Sequence, residues 1–160
     1  MLVSFEKLDP DSRIWIYQSS KKLNEEEKEF MRDKTEQFLI EWTAHGHDLE
    51  AAMKILYDQF LIIGVNESLN EASGCSIDKS VHHIHQLEQA LNINLLTRSQ
   101  VAIREDTHVK LVDFTDIKQL VSRGIISRKT EIFNNAVVTK KELETSWLQP
   151  AGNSWIKRYF

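Results

Sequence analysis

One cysteine, two prolines and five glycines among 160 residues deny several architectures their raw material. A lone Cys75 cannot close an internal disulfide, so a disulfide framework is excluded and a reducing compartment, the cytoplasm, is expected. So few prolines and glycines leave no composition for a flexible linker, and no repeat or low-complexity tract interrupts the chain. Long apolar runs are missing too. The longest, Phe60 to Val65, is far too short to cross a bilayer, and the opening MLVSFEKLDPDSR reaches charge at Glu6, before a secretory apolar region can form. No membrane segment is expected. With 41% hydrophobic and 28% charged residues the chain has enough apolar material for a packed core, and a single domain over residues 1–160 is expected.

The formal charge of −4 is unevenly spread. Residues 1–97 hold 9 Lys/Arg against 17 Asp/Glu, whereas residues 98–160 hold 11 against 7. A basic face drawn from Arg98, Arg104, Lys110, Lys118, Arg123, Arg128 and Lys129 would attract an anionic partner or the acidic half of a second copy. Pairing between the two halves of one chain accounts for the same pattern without any partner. The net acidity, with no RNP-like or zinc-knuckle motif, argues against nucleic acid.

Breaker-free aromatic and β-branched residues at 13–18 (RIWIYQ) read as a buried strand. Asn24 followed by three glutamates is a helix start: Asn24 caps free N–H groups, Glu27 reaches back, and the carboxylates suit the positive helix end. Phe30, Met31, Phe38, Leu39 and Trp42 give that helix its apolar stripe before Gly46. Residues 49–66 read as a tight antiparallel hairpin turning at Asp58-Gln59. A second helix is expected from Asp78 to Asn92, with Val81, Ile84, Leu87 and Leu91 facing the core. Strands at 100–104 and 109–114 follow, then a short helix ending at Gly124, a strand over 130–138, and a last helix after Thr139. The class is therefore α+β, a mainly antiparallel sheet with helices on one face. The order β, α, β, β, α, β over residues 13–104 suggests a ferredoxin-like core with a C-terminal strand and helix extension.

Several segments together, RIWIYQSS, EWTAHGHDL, YDQFLIIGVNES, ASGCSIDKSV, EIFNNAVVTKKELE and SWIKRYF, resemble a family of small uncharacterised bacterial proteins often labelled "ABC transporter ATPase". The likeness spans nearly the whole chain, and GCSIDKSV is its most distinctive piece. The label implies ATP hydrolysis, which in that class requires a G-x-x-x-x-G-K-[ST] loop to cradle the phosphates. None of Gly46, Gly64, Gly74, Gly124 or Gly152 precedes Lys-Ser or Lys-Thr, and no LSGGQ-type signature is present. The resemblance thus supplies a family without an activity.

The candidate sites centre on residues 73–85. Ser73, Gly74, Ser76, Asp78 and Ser80 surround a helix start whose N–H groups and dipole suit an anion or nucleotide phosphate, bound without hydrolysis. Cys75, in the same turn, is the candidate nucleophile of a cysteine-dependent hydrolase or transferase, with His45 or His47 as base and Asp48 as orienting group. The competing expectation makes Cys75 a small buried hydrophobe and Ser76 or Asp78 a simple N-cap. His82 and His85, three apart, lack a third and fourth ligand, so no metal and no cofactor is expected. Trp15, Tyr17, Trp42, Trp147, Trp155, Tyr159 and Phe160 would form a partner surface or a base-stacking platform if exposed together, and Trp15 and Trp42 read as core. The leading functional expectation is a non-catalytic binding or protein-interaction domain. Its partner would be a protein or small anionic ligand, and a homodimer is admissible.

Overall fold

A computed structural model describes all residues from Met1 to Phe160. Its order is β1 (Arg13–Gln18), α1 (Glu25–Glu41), β2 (Thr43–Ala44), β3 (His47–Asp48), β4 (Glu50–Leu56), β5 (Phe60–Asn66), α2 (Gly74–Leu91), β6 (Gln100–Glu105), β7 (His108–Asp113), α3 (Ile117–Ser122), β8 (Glu131–Phe133), α4 (Lys140–Ser146) and β9 (Leu148–Pro150). Helices and antiparallel sheets together make the α+β class expected from sequence. The chain clusters into two compact units. Unit 1 is Met1–Leu96 with Val138–Lys141, and unit 2 is Thr97–Val137 with Glu142–Phe160.

In unit 1 the run FLIIGV becomes β5, buried along its length and paired antiparallel on both sides, to β1 and to β4. A strand covered on both faces needs continuous rather than alternating apolar residues, which is why this run resists a period-two reading. The hairpin from β4 turns through Tyr57 and Asp58, both with positive φ, closed by Gln59 N–H on the Leu56 carbonyl. On one face Leu61, Ile63 and Val65 pack with Met31, Leu39 and Trp42 from the α1 segment and Ile84 and Leu87 from α2. On the other face Gly64 lets Phe5 and Leu8 lie against the strand: a Cβ there would sit 2.7 Å from Leu8 Cδ1. Both outer strands are covered by short bridges. Leu2 pairs parallel with Ala51 of β4, and Thr139 pairs antiparallel with Arg13 of β1. Lys140 then reaches beneath the N-terminal segment, its Nζ donating to the carbonyls of Glu6 and Leu8.

The antiparallel sheet of unit 1 runs β1-β5-β4, with α1 and α2 in the same unit; a ferredoxin-like core would add the next strand to that sheet. The sixth element departs from it. β6 pairs with β7 and β8 in the four-stranded sheet β7-β6-β8-β9 of unit 2, built over Val101, Ile103, Ile117, Ile132 and Ile156. The strand expected over 130–138 is limited to Glu131–Phe133, because Asn134 turns the chain by accepting from Ala136 N–H through its side chain.

Gly64→Val should overpack the Leu8 side of β5 and lower unfolding free energy by about 1–3 kcal/mol, read by denaturant melts.

Candidate functional site

Helix α2 organises the site. It begins four residues earlier than expected, at Gly74, because Ser73 is the N-cap and accepts from Ser76 N–H at 3.1 Å. This corrects the assignment of Ser76 or Asp78 as cap: both lie inside the helix. Glu67 braces the approach by accepting from Ala72 N–H. The helix ends at Asn92, whose left-handed backbone (φ 53°) suits asparagine.

The buried face of α2 reads Ser76, Ser80, His83, Ile84 and Leu87, polar for half its length. Each polar group has a partner inside unit 1. Ser76 Oγ donates to the Ser73 carbonyl, and the Trp42 indole donates to the Ser76 carbonyl at 2.8 Å, pinning the first turn of α2 to the end of α1. Ser80 Oγ donates to the Ile77 carbonyl and also meets the Tyr17 hydroxyl, whose pKa burial pushes up to about 12. Of the five residues grouped as an anion cradle, Ser76 and Ser80 are thus buried with their hydroxyls in use, Gly74 and Asp78 are exposed, and Ser73 spends its side chain on the cap.

Cys75 is exposed, which overturns the expectation of a buried small hydrophobe: as the second residue of α2 it faces away from the Ser76–Ser80 side. His45 and Gly46 form the two-residue turn between β2 and β3, both with positive φ, and His47 pairs with Ala44 across it. His45, His47 and Asp48 are exposed, and no hydrogen bond joins either imidazole to the Cys75 thiol. His85 does not face His82 across a shared ligand; its Nδ1 lies 3.0 Å from Glu88, which also accepts from Leu95 N–H.

His83, absent from the sequence-derived candidates, occupies the centre of the α1–α2 contact. It is 6% exposed, its Nε2 lies 3.0 Å from Thr35 Oγ1, and its ring stacks on Phe38 with centroids 4.7 Å apart and planes 4° from parallel. Burial, with a smaller push from His82, lowers its pKa to about 4, so the imidazole is neutral at pH 7. Beside it Phe38, Asp78, Lys79, His82, His83 and Gln86 line an open groove of about 420 Å³. The ring pair forms an apolar floor; Asp78, Lys79, His82 and Gln86 form a rim whose side chains make no hydrogen bond or ion pair within the chain. The signal was present in the spacing. Met31-Thr35-Leu39 on α1 and Ser76-Ser80-His83-Leu87 on α2 both keep the three-and-four step of a buried stripe, but hydroxyls and an imidazole hide it from a hydrophobicity reading. Val81, expected to face the core, is half-buried instead.

No helix is long and apolar enough to cross a membrane. No protein-family profile, curated protein or solved structure matches the chain, so the reading of function rests on this geometry.

Two outcomes are expected here. Below about pH 6.5 the unfolded chain's imidazole takes up a proton that folded His83 refuses until about pH 4, so stability should fall across that window and be flat with respect to this group above it. Thermal melts of wild type against His83→Gln read this as a shallower acid slope in the variant. Cys75 should react with iodoacetamide in the folded protein without denaturant, and Cys75→Ser should leave the melting temperature within about 0.5 kcal/mol of equivalent stability.

Proposed function

We propose that the protein is a non-catalytic binding module that engages a protein partner through the Phe38–His83 groove and the adjoining first turns of α2. The observation that carries this reading is the pairing of a preformed aromatic floor with a rim of uncommitted polar side chains of both charge signs. An apolar side chain of a partner seats on such a floor, while Asp78, Lys79, His82 and Gln86 supply orientation and specificity. The stack costs the partner little ordering, because Thr35 and the α1–α2 packing already hold His83 in place. The exposed, unpaired Cys75 fits residence in a reducing cytoplasm. A cysteine-dependent reaction would need a base brought within hydrogen-bond reach of that thiol, and binding needs no such rearrangement.

The test uses surface substitutions that leave the floor intact. Partners captured by wild type from the native cell are purified and titrated calorimetrically against wild type, Lys79→Glu and His82→Glu. Binding with negative heat-capacity change, weakened at least about tenfold by either reversal, is expected. A captured partner indifferent to both reversals would contradict the assignment of this groove.

A further inference from the structure

Unit 2 carries a second surface, independent of the groove. Its C-terminal 3₁₀ helix, Trp155–Tyr159, is capped by Ser154, whose Oγ accepts from Ile156 N–H. With three residues per turn, side chains three apart eclipse. Ile156 and Tyr159 therefore share the inward face: Ile156 is fully buried and Tyr159 packs on the same core. Trp155 and Arg158 share the next face, and it is turned to solvent. The Trp155 ring, 43% exposed, stacks on Phe114, 44% exposed, with centroids 5.8 Å apart and planes 21° from parallel. Phe114 is itself fixed by its N–H on the Ser99 carbonyl. Two aromatic rings held parallel in water, on backbones anchored by packed neighbours, make a platform with an open outer face.

Two arginines of unit 2, Arg158 of the same 3₁₀ helix and Arg128, are also preorganised. The Arg158 guanidinium lies 4.9 Å over the Tyr159 ring and donates to its hydroxyl, and Arg128 lies 5.2 Å over Phe160. Neither has a carboxylate within salt-bridge distance, and Lys129 and Lys157 are exposed and unpaired as well. A guanidinium held over a ring still has further N–H donors to offer an oxyanion. Asp113 and Asp116, which flank Phe114 in sequence, line a cleft with Gln119 and Arg123. A complementary partner therefore presents flat rings and closely spaced anions together. A second copy's unit 1 fits less well, since its exposed large hydrophobics, Met1, Ile40, Leu69, Leu96 and Val138, include no aromatic ring.

We infer that the Phe114–Trp155 stack, with Arg158 and Arg128, binds single-stranded nucleic acid without sequence preference, bases stacking on the rings and phosphates meeting the guanidiniums. It departs from the sequence-derived expectation against nucleic acid. Net acidity belongs to the chain as a whole, whereas unit 2 alone holds nine Lys/Arg against seven Asp/Glu. Stacking on exposed rings with a charge-dependent backbone contact is sequence-tolerant by nature.

The full chain is titrated into a labelled short oligothymidylate and followed by anisotropy, with intrinsic tryptophan fluorescence as a second readout. Trp42 and Trp147 are buried and Trp15 lies beneath Arg13, so quenching reports chiefly on Trp155. Binding that weakens steeply with salt is expected. Trp155→Ala should lose at least about fivefold in affinity, the low end for one base–aromatic stack. Arg158→Gln, at an exposed position, should weaken binding and lower the salt slope by about one. No anisotropy change at low salt overturns the inference. So does binding that neither substitution alters, or that polyphosphate matches with no dependence on Trp155. Self-association abolished by Trp155→Ala, without oligonucleotide binding, overturns it in favour of a second copy.

Discussion

The burial of β5 on both faces is the constraint from which the rest of unit 1 follows. A strand with no solvent face must be covered twice, and the two covers differ in kind. Leu61, Ile63 and Val65 take the helices on one side; Gly64 gives up its side chain so that Phe5 and Leu8 can close the other. Because β5 is central, β1 and β4 become edges, and the chain spends its first residues and the segment around Thr139 on covering them. With the helices laid on one face, α1 and α2 must meet. Their contact is where Thr35, Phe38 and Trp42 confront Ser76 and His83.

That contact is polar where a plain core would be apolar. Each polar group buried there has a partner, which is the condition for tolerating them. The consequence is directional. An apolar interface admits small slides between helices, whereas the Trp42–Ser76 and Thr35–His83 hydrogen bonds fix the helices in one register and set the floor of the groove. The chemistry that stabilises the fold thereby shapes its proposed recognition surface.

Legibility from sequence followed how local each signal was. The Asn24–Glu27 capping box is formed as read, with both reciprocal hydrogen bonds, since it depends on four neighbouring residues. The hairpin expected to turn at Asp58-Gln59 and the paired strands expected at 100–104 and 109–114 were legible for the same reason, the first turn starting one residue earlier, at Tyr57. The start of α2 was expected at Asp78, with Ser76 or Asp78 as cap, whereas Ser73 makes the cap hydrogen bond and moves the start to Gly74. The destination of β6 was not legible: whether a strand adds to one sheet or opens another depends on long-range pairing with Ile132, which no local pattern encodes. His83 was missed for a chemical reason, since its burial rests on a hydroxyl 48 residues away. Cys75 attracted attention by rarity, yet the inward face of its own helix turn is made by its neighbour Ser76.

The most direct test of this account is the ionisation of His83, followed by nitrogen-15 NMR of the imidazoles as pH is lowered. The account predicts that His83 stays neutral down to about pH 4, with a ring nitrogen shifted by its hydrogen bond to Thr35 and the shift lost in Thr35→Val. Titration of His83 near 6.5 would contradict it, placing the imidazole in water and removing the floor on which the proposed binding groove depends.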